Sequence, residues 1–330
     1  MRLSFIIPCY NVAKYIVECL GSIYAQRLSE DEFEIICVND YSTDTTRDII
    51  ENIQKEHTNL ILLNQPLNMY SGAARNRGLE IARGEYIWFV DADDKIKPDV
   101  ANHLIDMATS ENLDLLLFNY DEFNDGKEND VNVIDDIFTT STIMSGNEFV
   151  KILFNYNLSS LSLLWLRLFR RSLIDNNNIR FSNLYISQDG PFAYETLLMA
   201  DRVQSIKDRC YLYRVNSQSI TANKNTARKN AVWSFQYPLE LYKLKERVFY
   251  TVYQKIISQI DKNIHYEINE YSRRYLLLPK SKKNKYYNIM CENKDWYKIA
   301  HLYLTKKNKI IYKSRLLGEF FFRTMINILL

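Results

Sequence analysis

The 330-residue sequence contains little glycine and proline, with eight and six residues respectively. This scarcity excludes collagen-like and low-complexity chains, which are rich in one or both. The five cysteines are odd in number and share no C-x-x-C spacing, so neither a disulfide framework nor a zinc site is predicted. Such cysteine usage is typical of a reducing compartment, and we therefore expect a cytoplasmic protein.

Long apolar runs are also missing. No stretch of about 18 residues is apolar throughout, so no membrane-spanning helix is predicted. The sequence begins without an apolar stretch and cleavage site, so no signal peptide is predicted either. The composition, 47% hydrophobic and 25% charged, is that of a globular chain, and its length suits one full domain and a smaller second one.

Charge is unevenly distributed along the chain. The formal net charge is only +2, but residues 280–330 carry twelve Lys and Arg against three Asp and Glu. That segment therefore has a charge of +9, and residues 1–279 sum to −7. A chain with an acidic body is not expected to bind nucleic acid, and the basic end needs its own explanation.

The first hundred residues alternate between two periodicities. Four short apolar runs lack polar alternation, which is typical of strands covered on both faces. Amphipathic stretches with helical spacing separate them, the third from about Gly72 to Arg83. This alternation predicts an α/β fold with a mostly parallel sheet flanked by helices. The apolar runs are Leu3–Ile7, Phe33–Val38, Leu60–Leu63 and Tyr86–Val90.

Polar residues follow these strands at the edge where open parallel sheets bind ligands. Asp40 follows the second run, and the string Asp91-Ala92-Asp93-Asp94 follows the fourth. Neighbouring carboxylates raise one another's pKa unless a cation lies among them. Carboxylates completed by substrate phosphates are typical of Mg²⁺ or Mn²⁺ sites. Aspartate is also common in loops without any function, but the grouping with Arg75 favours a functional site.

Four strings in this sequence resemble family 2 glycosyltransferases. The resemblance is clear over about residues 1–100 and weaker over residues 165–221. It implies the GT-A fold, which is Rossmann-like, with a D-x-D metal motif and a nucleotide-sugar donor, as in bacterial polysaccharide-building enzymes. The strings are Phe5-Ile6-Ile7-Pro8-Cys9-Tyr10-Asn11, Val38-Asn39-Asp40-Tyr41-Ser42-Thr43-Asp44, Ala74-Arg75-Asn76-Arg77-Gly78 and Phe89-Val90-Asp91-Ala92-Asp93-Asp94.

The resemblance implies roles for individual residues. Asp40 would hydrogen-bond the nucleotide base, and Asp91 would approach the ribose. Asp93 would coordinate a Mn²⁺ or Mg²⁺ ion that bridges the two donor phosphates. Tyr41 replaces the usual glycine, which implies either a different turn or a ring beside the base. The other implied donor-site residues are Pro8, Tyr10, Asn11 and Arg75.

Sugar transfer also needs a general base for the acceptor hydroxyl. Asp189 matches the Asp of the family's Glu-Asp pair, although Gln188 replaces the glutamate. The resemblance therefore implies that Asp189 is the base. A helix cap is the alternative, because Asp before Gly-Pro suits that position.

The string Trp165-Leu166-Arg167-Leu168-Phe169-Arg170-Arg171 resembles a further segment of the family, with Arg167 in place of a lysine. Arg167 and Arg214 are candidates for contacts with the donor phosphates. Trp165 is either a stacking platform for the acceptor sugar or a core residue, and the sequence leaves both open.

We expect a GT-A domain over residues 1–222, with a nucleotide-binding half (1–100) and an acceptor half (101–222), followed by a helical region over 223–330. Residues 306–330 combine six basic residues with bulky apolar ones. This pattern predicts a helix on an anionic membrane surface, which would place the protein on the inner face of the cell membrane. Docking on its own domain or on a partner subunit is the alternative.

Three functions remain open. The resemblance implies an inverting, metal-dependent glycosyltransferase that moves a sugar from a UDP-sugar to a glycan or lipid-linked acceptor in surface polysaccharide synthesis. A sugar-phosphate nucleotidyltransferase would need a glycine-rich loop after the first strand, where this chain has Pro8-Cys9-Tyr10-Asn11. A non-catalytic binding protein of the same fold is favoured by Gln188 and Tyr41 but opposed by the intact Asp91-x-Asp93.

Overall fold

The chain forms two units, Met1–Asn223 and Lys224–Leu330. The structure is a computed structural model. It describes residues 1–124, 127–133, 139–153, 163–182, 184, 188–215, 236–248, 254–276, 299 and 302–303. All of the candidate site residues lie in the first unit, which is built on a ten-stranded sheet.

The amino-terminal half of the first unit alternates strands and helices, as predicted. Its elements are β1 (Leu3–Cys9), α1 (Ile16–Tyr24), β2 (Phe33–Asn39), α2 (Thr46–Gln54), β3 (Leu60–Asn64), α3 (Tyr70–Leu79) and β4 (Tyr86–Phe89). The strands are parallel and lie in the order β3-β2-β1-β4. Their carboxyl ends therefore meet at one edge of the sheet.

Burial follows the apolar pattern of the sequence. Nearly every side chain of β1 and β2 is buried, because helices cover both faces of these central strands. The third helix differs from its expected limits, since α3 begins at Tyr70 and ends at Leu79. After the helix, the backbone at Gly84 packs against β1, where a Cβ would lie 2.4 Å from the Ser4 backbone nitrogen.

The carboxyl-terminal half of the first unit makes the sheet mixed. Its elements are β5 (Lys95–Ile96), α4 (Ala101–Ser110), β6 (Leu115–Asn124), β7 (Lys127–Val133), β8 (Thr140–Met144), α5 (Gly146–Leu153), a 3₁₀ helix (Leu164–Leu166), β9 (Arg167–Arg170), α6 (Arg171–Asn176), α7 (Asp189–Met199) and β10 (Val203–Val215). β9 lies between β4 and β6 and is antiparallel to both. β10 runs parallel to β6 and antiparallel to β5.

The second unit is described mainly by two helices, α8 (Gln236–Val248) and α9 (Gln254–Leu276). Lys245 Nζ donates to Asp261 Oδ1 at 2.6 Å and so links them. None of the helices in the described ranges has the length and apolar character needed to cross a membrane. The predicted membrane-surface helix over 306–330 lies outside the described residues.

Candidate active site

The loop that follows β1 is bonded to the loop that follows β2. The Asn11 backbone N–H donates to Ser42 Oγ at 3.0 Å, and the Thr43 N–H donates to Asn11 Oδ1 at 2.8 Å. Asn11 has a φ of 54°, which asparagine adopts more readily than most residues. Asn11 thus holds two loops together, while the neighbouring Tyr10 side chain is 48% exposed. Pro8, before this loop, is partly buried.

Asp40 is buried where β2 ends. Its Oδ1 atom accepts hydrogen bonds from Gln65 Nε2 at 2.9 Å and from the Met69 N–H at 2.7 Å. Burial raises the pKa of the Asp40 carboxyl, although these hydrogen bonds oppose the shift. The carboxylate therefore fixes the chain that enters α3.

Tyr41 keeps the turn for which glycine is expected. Its φ is 64°, in the left-handed region, which costs a residue with a side chain about 1–2 kcal/mol. The turn is therefore not of a different type. Instead, the substitution leaves a ring that is 55% exposed directly beside Asp40.

Arg75 joins the two halves of the site. Its Nη2 donates to Asp91 Oδ1 at 2.9 Å and its Nη1 donates to Asp189 Oδ1 at 2.6 Å. The side chain is only 5% exposed, and its guanidinium lies 5.5 Å from the centre of the Phe181 ring. α3 can place Arg75 here because Gly78, one turn later, lies directly on β1, where a Cβ would be 2.5 Å from a methyl group of Ile6.

The carboxylates after β4 have different environments. Burial, followed by repulsion from Asp91, raises the pKa of Asp93 to about 6. No other side chain in the described part of the chain hydrogen-bonds the Asp93 carboxylate. Asp94 is fully engaged, accepting from the Tyr211 hydroxyl at 2.9 Å and from the Arg214 N–H at 2.8 Å. Asp93 is therefore the carboxylate that best fits a divalent cation.

Within the described ranges, no group of three or more His, Cys, Asp and Glu residues could hold a metal ion. Asp93 fits the other arrangement, in which one or two carboxylates and the phosphates of a substrate share the ion.

Arg214 binds the loop that carries Asp93. Its Nε donates to the Asp93 carbonyl at 2.6 Å, and its Nη2 donates to Glu18. The guanidinium also lies 4.5 Å from the centre of the Phe123 ring, and the residue is buried. The contacts of Arg214 are thus with buried groups of the protein. They differ from the predicted contact with a donor phosphate.

Trp165 and Arg167 are both buried. The Trp165 ring stacks on Tyr211 at 4.6 Å and on Tyr213 at 5.4 Å between ring centres, and only 7% of the residue is exposed. Of the two alternatives for Trp165, the structure favours the core residue. Burial lowers the pKa of Arg167 to about 10, and its Nη1 donates to the Ala193 carbonyl at 3.4 Å, so a phosphate contact does not fit Arg167 either.

Asp189 is the first residue of α7, and Gln188 is the N-cap. Burial raises the pKa of the Asp189 carboxyl, and the Arg75 charge opposes this shift. Even so, 34% of the Asp189 side-chain surface is exposed. Its carboxylate hydrogen-bonds the Arg75 guanidinium, so the cap alternative does not describe it.

Sequence reasoning missed two residues that build the site, Tyr211 and Glu18. The Tyr211 hydroxyl accepts from the Asp91 N–H at 3.0 Å while it donates to Asp94. Glu18, on α1, accepts from Lys95 Nζ at 2.5 Å and from Arg214. The Asp94 position in the aspartate string was visible, but its partners come from β10, more than a hundred residues later.

The model of the family described as Glycosyl transferase family 2 matches residues 4–177. EpsH of Bacillus subtilis (strain 168) is 36% identical over 222 residues, which are 66% of this chain and 62% of EpsH. A poly(ribitol-phosphate) beta-glucosyltransferase of Bacillus spizizenii is 30% identical over 220 residues, which are 65% of this chain and 32% of that protein. The chain thus spans less than two thirds of the length of either relative.

Solved structures show the same fold. Staphylococcus aureus TarS 1-349 in complex with UDP-GlcNAc has a TM-score of 0.64 at 21% identity, covering 91% of this chain and 81% of that one. The mannosyltransferase PcManGT from Pyrobaculum calidifontis, in complex with GDP-Man and Mn²⁺, has a TM-score of 0.51 at 16% identity, covering 90% and 82%. The predicted GT-A fold, a mostly parallel sheet flanked by helices, is confirmed.

Proposed function

The chain belongs to glycosyl transferase family 2, and from this premise we propose that it transfers a sugar from a UDP-sugar to a hydroxyl of a glycan or lipid-linked acceptor, with inversion. The observation that carries the proposal is the meeting of Asp91 and Asp189 on one buried guanidinium, that of Arg75. Asp91 comes from the strand edge where nucleotides bind, and Asp189 comes from the other half of the unit.

The donor would bind at the carboxyl ends of β1, β2 and β4. Asp40 would bond the base, the exposed rings of Tyr10 and Tyr41 would lie beside it, and Asp91 would approach the ribose. The TarS structure with UDP-GlcNAc supports a UDP-sugar, since it shares the fold. The name of the Bacillus spizizenii relative supports a hexose as the transferred sugar.

Asp93, together with the two donor phosphates, would hold a Mn²⁺ or Mg²⁺ ion. When bound, such an ion stabilises the negative charge of the leaving diphosphate as a Lewis acid. The raised pKa of Asp93 and its lack of a hydrogen-bonding side chain within the described part of the chain support this assignment. The Mn²⁺ in the PcManGT complex supports it as well.

Asp189 would take the proton from the acceptor hydroxyl as that oxygen attacks the anomeric carbon. Its position is suitable, because the carboxylate is partly exposed at the start of α7, where the helix dipole favours a negative charge. The Arg75 charge lowers the pKa of this carboxyl against the larger effect of burial, which favours the charged form that accepts a proton. One in-line displacement with such a base inverts the anomeric carbon.

We propose an acceptor in surface polysaccharide synthesis, since the names of two relatives include poly(ribitol-phosphate).

The catalytic domain would span residues 1–222, with an accessory region over 223–330. Residues 306–330 would contact an anionic membrane on its cytoplasmic side. Deleting them should abolish co-sedimentation with anionic vesicles, and continued co-sedimentation would contradict this contact.

A screen of UDP-sugars for Mn²⁺-dependent release of UDP tests the function. We expect at least one donor to be hydrolysed slowly, and faster when an acceptor is added. Chelation should remove the activity, as should Asp93→Ala, while Asp48→Ala, an exposed acidic position on α2, should keep it. Tight UDP binding without hydrolysis or transfer would instead favour the non-catalytic alternative. Pyrophosphate release from UTP and a sugar phosphate would favour the nucleotidyltransferase.

A further inference from the structure

Two side chains of α3 bind the segment that leads into α7. Asn76 Nδ2 donates to the Phe181 carbonyl at 2.8 Å, and the Phe181 N–H donates to Asn76 Oδ1 at 2.8 Å. Near the start of the helix, Ser71 Oγ accepts from Gln188 Nε2. Phe181 and Gln188, which come before the base in the chain, are thus both held by one helix of the donor half.

Arg75 lies between these contacts and reaches the base itself. Its partners Asp91 and Asp189 are 16 and 114 residues away along the chain. Both arms of the guanidinium are occupied by carboxylates, and the side chain is almost fully buried. A contact with the donor, which the family resemblance implies for Arg75, does not fit this environment.

We propose that Arg75 is a positioning residue, which holds the Asp189 carboxylate at a fixed distance and orientation from Asp91. The inference rests on the proposed function, because it requires Asp189 to be the general base. The planar guanidinium suits the task, since it binds two carboxylates in a fixed geometry and does not give up a proton. A catalytic group displaced by about 1 Å can lose about 100-fold in rate.

The pairing also leaves the base usable. Arg75 bonds Oδ1 of Asp189, and the described residues provide no further hydrogen bond to that carboxylate. The Asp189 side chain also remains partly exposed, as an approaching acceptor hydroxyl requires. Arg75 thus orients the Asp189 carboxylate through one oxygen atom and forms no hydrogen bond with the other.

Kinetics of Arg75→Gln and Arg75→Lys test the inference, with Arg77→Gln as the matched control. Arg77 lies on the same helix but is exposed, and within the described ranges its ion pair is with Glu80. We expect Arg75→Gln to lower kcat about 100-fold while the Kd for UDP stays within about threefold. Arg75→Lys should recover part of the lost kcat, because lysine keeps the positive charge. The recovery should be incomplete, because an ammonium group cannot bind two carboxylates in the fixed planar geometry of a guanidinium. Arg77→Gln should match the wild type.

The pH profile separates positioning from a structural role. Among the residues that the structure describes, the charged groups that face Asp189 are Arg75 on α3 and Asp91 after β4. Removing the Arg75 cation raises the pKa of the base, so the acid limb of kcat/KM should move to higher pH in Arg75→Gln. The limb should not move in Arg77→Gln. An unmoved limb in Arg75→Gln, measured on folded protein, overturns the inference.

A weaker Kd for UDP with an unchanged kcat would also overturn it, because Arg75 would then be a donor contact. If Arg75→Gln does not fold, Asn76→Ala replaces it. That variant loosens the same segment without changing a charge and should lower kcat about tenfold with an unmoved limb; a wild-type kcat overturns the inference.

Failure of the proposed function has a different signature. In that case the wild type transfers no sugar, whereas if only the assignment of the base is wrong, Asp189→Asn transfers sugar as well as the wild type. A double-mutant cycle of Arg75→Gln and Asp189→Asn in urea unfolding still measures whether the two side chains are coupled, and additive effects would overturn the pairing itself.

Discussion

The donor half and the acceptor half of the first unit differ in the range of the contacts that build their parts of the site. In the donor half, Asp40 is held by Gln65 and by the Met69 N–H, which are 25 and 29 residues away. In the acceptor half, Asp189 is held by Arg75, 114 residues away, and Arg214 by Glu18, 196 residues away. The acceptor half therefore depends on the donor half for its geometry.

This difference has a functional consequence. Asp40 is held at a strand end by neighbours within the donor half, so substitutions there should change binding first, although Asp91 and Asp94 also bond Tyr211 of β10. Residues of the acceptor half are placed by partners on α1 and α3, so substitutions there should change catalysis or stability first. Each of the following predictions tests one side of this division.

Asp189→Asn should have the largest effect. Loss of a general base lowers kcat by about 10²–10⁴-fold, whereas the Kd for UDP should stay within about threefold because the donor half is untouched. Kinetics with the donor found in the screen and calorimetry with UDP measure the two quantities. Glu195→Gln, a carboxylate on the same helix, is a control for helix effects. Near-normal turnover in Asp189→Asn would move the base elsewhere.

Trp165→Ala should lower the free energy of unfolding by about 3–5 kcal/mol, as expected for a large side chain removed from a core. The ring stacks on Tyr211 and Tyr213, so its loss leaves a cavity. Trp165→Phe should cost clearly less. Urea unfolding measures both. A stable Trp165→Ala protein with a raised KM for the acceptor would restore the stacking-platform alternative.

Metal affinity should depend on pH through Asp93. Its pKa is raised to about 6 by burial and by Asp91, so the carboxylate is charged above that pH and protonated below it. The Mn²⁺-dependent part of UDP binding should therefore weaken about tenfold for each pH unit below about 6. Calorimetry at several pH values measures this, and Asp93→Asn should remove the dependence. A flat profile down to pH 5 would contradict the assignment of Asp93.

The same division explains how much could be predicted from the sequence. Apolar runs of strand length end just before Asp40 and before the aspartate string, so local periodicity placed these residues at one sheet edge. Trp165 and Arg214 are different, because whether they are buried depends on β10 and α1, which are distant in sequence. Helical and strand periodicities relate only residues that are near in sequence, so they do not predict contacts between these distant elements. The resemblance suggested a role for Asp189, but only the fold showed that Arg75 holds it.

Tyr41→Gly should have the smallest effect on stability. It tests whether the Tyr41 ring contributes to UDP binding in the donor half. Glycine removes the strain of a left-handed φ, about 1–2 kcal/mol, but its unfolded chain gains about 0.5–1 kcal/mol of conformational entropy. The two terms nearly cancel, so the free energy of unfolding should change by less than about 1 kcal/mol. Base stacking on an aromatic ring contributes about 1–3 kcal/mol, so the Kd for UDP should rise by about tenfold or more. Tyr41→Phe keeps the ring and should bind UDP as the wild type does. Equal affinity in Tyr41→Gly and Tyr41→Phe would mean that the ring does not contact the base, and that Asp40 and its backbone neighbours alone determine recognition in the donor half.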